Sequence, residues 1–513
     1  MPRCAALLPA LALALAATAC QRGPAFTVEG LPREGDTLAA VAFDSLGLRV
    51  QLPEADTATF ALDGQPVAAE RTAYRTFRLR VDSLADGAHT LAVTVPGGDA
   101  RAWPFVVDRT PPVLRLDTVE AKGARGPFVV RGTAEGAARV AAAFPGGHAL
   151  DVARSGEAFT LTVPAGAPAR RVLLTATDAA GNAATRAVAL SAGPMRGVHV
   201  SSLGWTSATL RGRILDLARA GKINTIQLDI KDEAGVVGYA SAVPLATRIG
   251  AAKAHYDPRA VLDSLHALGL RVVGRLTVFR DPILGRWAWQ NGRADWVVQT
   301  AAGQPFGGTY GAYAFTNPYA DSVRAYNHAL AVEAAGLGFD DVLLDYIRRP
   351  EGARSAMRFE GQPPGDSAET AITSFVCESG AAVRARGAGY GVSVFGIAAS
   401  RPWAVAQDVP ALARCVDIVA PMVYASHWGP GEYGVAHPNA MPYEITHRSL
   451  LDFKRAVQGT DAQVVAWLQD FSLGVHYDAA KVQAQIRAAR DAGTPGFLLW
   501  NAGARYTPGG LDE

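Results

Sequence analysis

Residues 341–350 read DVLLDYIRRP, and the fold follows from that stretch. Val342, Leu343 and Leu344 form a short apolar run shortly after Gly338. A strand buried on both faces reads this way, without the alternation of a half-exposed strand. The run stops at Asp345, followed by Tyr346, Arg348, Arg349 and Pro350. An acid at the end of a buried strand is costly unless it is paired or put to use. In a barrel of parallel strands wrapped by helices, the C-terminal strand ends are where active sites sit. Two readings of Asp345 therefore stand: a site carboxylate, or a partner of Arg348 that shapes the loop.

On both sides of this stretch, buried runs alternate with helical ones. Strands are predicted at 197–201, 224–230, 271–279, 341–345, 390–395, 417–424, 462–469 and 496–500. Helices are predicted at 208–220, 258–268, 319–335, 370–386 and 479–492. Eight such units within residues 193–513 have the rhythm and size of a (β/α)8 barrel.

The residues that close these strands are polar or aromatic. In the second strand Gln227, Asp229 and Lys231 share a face by period two, which predicts that Lys231 holds Asp229 ionised in the barrel mouth. A purely structural Asp229–Lys231 pair is the alternative. The third strand carries Arg275. The sixth ends at Tyr424 and leads to His427, the seventh carries Trp467 and Gln469 before Asp470, and the eighth ends at Trp500. Rings that stack on sugars, beside carboxylates that move protons, are what a glycan site needs. Asp345 is the first candidate for an essential carboxylate and Asp229 for its partner, with Asp470 and Asp232 behind them. Lys231, Arg275, Tyr346, Arg348, Tyr424, His427, Trp467, Gln469 and Trp500 are the candidate substrate-binding residues. Asp417 starts its strand and belongs to the opposite, stabilising end. No HExxH, P-loop or His-rich motif is present, so neither a metal nor another cofactor is expected.

The chain's 513 residues are too many for one core. A content of 49% hydrophobic and 19% charged residues places it among globular proteins, and a net charge of +2 gives no indication of nucleic acid. Residues 1–20, MPRCAALLPALALALAATAC, have a positive start, an apolar centre and small residues before Cys20. This resembles a bacterial lipoprotein signal, which implies lipidation at Cys20, export and a membrane anchor. Cys377 and Cys415 remain, enough for one disulfide in an oxidising compartment. Residues 21–108 read as short strands between turn signals, the pattern of a β-sandwich. Residues 109–192 repeat it. Their opening Asp108-Arg-Thr-Pro-Pro112 and their later Thr177-Asp-Ala-Ala-Gly-Asn182 resemble bacterial immunoglobulin-like modules. Asp178 and Asn182 are expected to form turns. The two modules would act as spacers for the barrel.

The barrel segment also resembles a known family. The matching pieces are LDIKDEAG at 228–235, RLTVFRDP at 275–282, NPY at 317–319, FDDVLLDYIRRP at 339–350, PMVY at 421–424, WLQDF at 467–471 and LWN at 499–501. In order and spacing they are similar to the putative glycosyl hydrolase domain family, bacterial barrel proteins. Arg349 departs from the pattern, in which an aromatic precedes the proline. The resemblance implies a barrel and glycosidase chemistry on a polysaccharide or oligosaccharide. The alternative is a catalytically silent barrel that binds glycans or organises the envelope.

Overall fold

The computed structural model describes residues 27–29, 37–39, 49–52, 57–79, 84–96, 100–121, 126–144, 148–164, 171–190 and 193–512. Cys20 and the segment around it lie outside these residues. No described helix is long and apolar enough to cross a membrane.

The C-terminal part is a closed barrel. Its strands are β1 (Arg196–Val200), β2 (Thr225–Lys231), β3 (Arg271–Thr277), β4 (Asp341–Asp345), β5 (Gly389–Phe395), β6 (Ile418–Met422), β7 (Ala466–Gln469, preceded by the short piece Gln463–Val464) and β8 (Phe497–Trp500). Each pairs in parallel with its sequence neighbours, and β8 pairs with β1 to close the ring. The eight predicted strands are found, each within about two residues of its predicted ends apart from the break in the seventh. Helices cover the outside. Asp321–Leu337 is representative: Val323, Tyr326, Asn327, Leu330, Ala331 and Ala334 recur at helical spacing on its buried side. It ends on Gly338 at φ 111°, a left-handed conformation that suits glycine, and the chain turns from there into β4. A helix at Pro442–Ala456, not foreseen in the sequence, completes the layer before β7. The disulfide joins Cys377, on helix Ala368–Ala385, to Cys415, just before β6, with Cα atoms 4.9 Å apart.

A bulge in β2 has consequences for the site. Asp229 is opposite Arg275, but Lys231 is opposite Leu276, so two residues of β2 face one of β3. The extra residue reverses which side of the sheet the following side chain takes. Gln227 and Asp229 stay on the inner face with Arg275, and Lys231 turns outward to the helices.

Towards the N-terminus the sheets are mainly antiparallel. One sheet orders Thr27–Glu29, Arg49–Gln51, Thr76–Leu79 and Ala69–Ala73; another orders Thr37–Ala39, Ala100–Asp108, Gly87–Thr94, Thr59–Leu62 and Gln65–Pro66. They share a core that includes Val50, Phe60, Phe77, Leu91, Trp103 and Phe105. Two further four-stranded sheets occupy residues 113–189. Asp178 does form a turn: its carboxylate accepts the backbone N–H groups of Gly181 (2.7 Å) and Asn182 (2.8 Å). By their contacts, residues up to 113 with 135–139 and 176–184 form one compact unit, and the remaining residues form another.

Candidate active site

A pocket of about 330 Å3 opens at the C-terminal ends of the barrel strands, within the usual ~300–1,000 Å3 of ligand pockets. Its walls are aromatic: Tyr310, Tyr346, Phe395, Tyr424, Trp428, Trp467 and Trp500. Three carboxylates, Asp345, Glu233 and Glu351, and the guanidinium of Arg275 line it as well. A larger cavity of about 590 Å3 lies at the opposite barrel end, but Arg271 and Lys454 are the only charged residues among the described ones that line it. The chemistry therefore concentrates in the smaller pocket.

Arg275 is the hub. Its Nε and Nη2 donate to Asp345 Oδ2 at 2.8 and 2.7 Å. Its Nη1 lies 3.1 Å from both Asp229 Oδ1 and Glu233 Oε2. One planar cation thus serves three carboxylates, and its fixed geometry keeps the Asp345 and Glu233 oxygens at most about 8 Å apart. Paired carboxylates act on glycosidic bonds over separations of ~5–10 Å. Arg275 is itself buried and lies 5.1 Å from the centre of the Trp500 ring.

The other oxygen of Asp345 accepts the backbone N–H of Tyr346 at 2.7 Å. To make that bond Tyr346 takes φ 50°, a left-handed conformation that costs a non-glycine residue ~1–3 kcal/mol and tends to persist at functional sites. Asp345 pairs with Arg275 and not with Arg348, which removes the loop-shaping reading of that acid. Arg348 instead meets Glu351 at 3.0 Å, behind the aromatic wall, and its guanidinium packs on Tyr346 (4.8 Å) and Phe395 (4.9 Å). It braces the pocket without lining it.

Asp229 is deeper and only 1% exposed, with its Oδ1 2.9 Å from His199 Nε2. Burial alone would raise its pKa, but the neighbouring His199 and Arg275 outweigh burial and hold it below the usual carboxylate value. The expected benefactor, Lys231, is absent from this face. Because of the bulge, Lys231 is fully buried against Asp281 and Asn327, both at 2.7 Å. Burial pulls its ammonium below its ordinary value, with Asp281 compensating in part. Neither the expected substrate contact nor a structural Asp229–Lys231 pair forms.

The remaining candidates separate cleanly. Tyr346, Tyr424, His427, Trp467 and Trp500 line the pocket as expected. Trp500 stacks on His199 at 4.2 Å, and Trp467 donates its indole N–H to Ser393 at 3.0 Å. Gln469 is buried away from the pocket, accepting from Ser426 N–H (3.1 Å) and donating to the Phe471 carbonyl (2.8 Å). Asp470 is held by the backbone and hydroxyl of Thr507 at 2.8 and 2.7 Å, and burial raises its pKa despite those bonds. Asp232 accepts from Ala234 N–H (3.0 Å) and Val236 N–H (2.9 Å), so its carboxylate builds the turn after β2. Asp470 and Asp232 thus stay outside the pocket wall. The Asp232 turn closes on Gly235, at φ 84°, where a Cβ would lie 2.3 Å from Asp281. Its tip carries Glu233 into the pocket.

Sequence reading missed Glu233, Glu351 and His199. Glu233 lies within the quoted LDIKDEAG motif, and His199 pairs in register with Gln227 on the inner face. Periodicity locates neither loop acid, because both follow the end of a strand.

These features define a barrel with an acidic, aromatic-walled pocket at its strand ends. The chain belongs to the putative glycosyl hydrolase domain family, which matches residues 197–506. Among solved structures it is similar to a hypothetical protein from Ruminiclostridium thermocellum, at 30% identity over 36% of this chain and 90% of that one, with a TM-score of 0.32. It is also similar to the PgaB (BpsB) glycoside hydrolase domain from Bordetella bronchiseptica (14% identity, 61% and 95% of the two chains, TM-score 0.43). A third is the endo-1,4-beta-D-mannanase from Thermotoga petrophila (14%, 60% and 88%, TM-score 0.38). At these scores the likenesses carry no weight for function. No curated protein matches the chain.

Proposed function

We propose that the barrel is a glycoside hydrolase that cleaves O-glycosidic bonds of an extracellular or cell-envelope polysaccharide. The observation that carries this reading is the pairing of Asp345 and Glu233 through one guanidinium inside an aromatic-walled pocket. Aromatic faces hold pyranose rings, and carboxylates at this spacing supply acid, base or nucleophile. The test is a screen of the purified protein against cell-wall polysaccharides and exopolysaccharides, read as newly formed reducing ends. Release of reducing ends from at least one polymer is the expected result.

A second reading is a barrel that binds glycans without cleaving them. One observation favours it: both oxygens of Asp345 are already engaged, by Arg275 and by Tyr346 N–H. Saturable glycan binding with no new reducing ends across the panel would select it.

In the proposed setting the protein is exported and lipid-anchored through Cys20, and the N-terminal sheets act as spacers. The Cys377–Cys415 disulfide is in keeping with an oxidising compartment. Cys20→Ser is expected to move the protein from the membrane fraction to the soluble one. Unchanged membrane association, with no lipid on the wild-type N-terminus by mass spectrometry, would contradict the anchor.

A further inference from the structure

The geometry points to Glu233, and not the deeper Asp229, as the carboxyl that passes the proton to the glycosidic oxygen opposite Asp345. The assignment rests on the hydrolase reading above and adds a residue and a role to it.

Three acids compete for Arg275, and they differ in freedom. Asp229 is locked between Arg275 and His199, is 1% exposed and lies outside the pocket wall. Asp345 lines the pocket, but its ion pair uses two guanidinium nitrogens and its second oxygen holds a backbone N–H. Glu233 has a single ion pair among the described residues, to an Nη1 that it shares with Asp229, and its side chain is 38% exposed. It stands at the tip of a tight turn whose backbone is fixed by Asp232, so the side chain can swing while its base stays in place. Of the three, Glu233 alone can leave Arg275 and meet a sugar.

The proton chemistry agrees. Burial raises the pKa of Glu233, but Arg275 overcomes this and holds it below the usual value. A substrate that draws Glu233 off Arg275 removes the lowering contact and leaves the burial, so the carboxyl becomes a better proton carrier when the pocket fills. As the C–O bond breaks, its electron pair goes to the leaving oxygen, which takes the Glu233 proton. Asp345, ion-paired to Arg275, faces the positive charge developing at the anomeric carbon. Water then supplies the hydroxyl to that carbon and returns a proton to Glu233. The products are two sugar fragments, and both carboxyls end as they began. Asp229 and His199 act as positioning residues that hold Arg275 from below.

The test compares substrates with poor and good leaving groups, using the full chain. The first is the polymer found in the screen; the second is the dinitrophenyl glycoside of the same sugar, whose leaving group departs without a proton. Glu233→Gln is expected to lose ~100-fold or more on the polymer and less than ~10-fold on the dinitrophenyl glycoside. Asp345→Asn is expected to lose heavily on both. If Glu233→Gln does not fold, Glu233→Asp keeps the charge against Arg275 and must show the same split in weaker form. Equal losses on the two substrates, no loss on either, or the split appearing in Asp229→Asn instead would overturn the assignment. A wild type that cleaves neither substrate, or an Asp345→Asn variant as fast as wild type, would instead overturn the hydrolase reading itself.

Discussion

The two ends of the barrel use the same residue types in opposite ways. At the N-terminal end of the strands each acid has its own partner. Asp341 takes Arg271 through two nitrogens at 2.6 Å, Asp340 takes His266 at 3.0 Å and the N–H of Val272 at 2.7 Å, and Asp417 lies against Arg384 and accepts the N–H of Tyr390 at 3.0 Å. At the C-terminal end one guanidinium serves three carboxylates, while His199 Nδ1, Asp229 Oδ2 and both polar atoms of Gln227 are buried without a partner. A satisfied network stabilises, and an under-satisfied one is a place where structure is held for another purpose. The contrast predicts that substitutions at one end change stability and at the other change turnover.

The largest effect on stability is expected at the bottom. Arg271→Ala leaves the buried Asp341 carboxylate uncompensated, at a cost of ~3–5 kcal/mol. Urea unfolding should show that loss, while the folded fraction keeps its turnover number. A turnover loss with unchanged stability would break the comparison. At the mouth, Trp500→Ala is expected to weaken glycan binding by about 10- to 100-fold, ~1.4–2.7 kcal/mol, and to lower stability by less. Because Trp500 also stacks on His199, a large fall in melting temperature with unchanged affinity would mark it as core only.

A smaller effect concerns acid. Asp229 has a folded pKa below its unfolded value of 3.8, so its contribution to stability is present above that value and is lost as pH falls through the folded pKa. Asp417 has the opposite sign: burial, partly offset by its Arg neighbours, raises its pKa, and its contribution is lost as pH rises. The acid limb of stability below pH ~4 should therefore flatten in Asp229→Asn and persist in Asp417→Asn. Identical limbs in the two variants would show that the ends do not differ in this respect.

The barrel was legible because parallel strands buried on both faces write themselves as apolar runs. The run at 342–344 and its closing Asp345 were enough to find the mouth. Arg275, Tyr424, Trp467 and Trp500 were legible because they close neighbouring strands. Lys231 was misread because period two holds only for an unbroken strand, and the bulge after Asp229 has no local signature in TIQLDIK. Glu233 lay in plain view beside Asp232, but which of two adjacent acids builds a turn and which faces the pocket depends on tertiary packing. Arg349, the departure from the family pattern, is a buried loop tie: it donates to the carbonyls of Pro350 and Gly352, each at 2.9 Å, and of Trp403 at 3.1 Å.

The most direct test is the turnover of Asp345→Asn on the polymer that the wild type cleaves. The exchange is nearly isosteric and keeps an oxygen for Arg275. The variant should fold, bind the glycan and lose ~100-fold or more in turnover. A folded, glycan-binding Asp345→Asn protein that turns over at close to the wild-type rate would contradict the account.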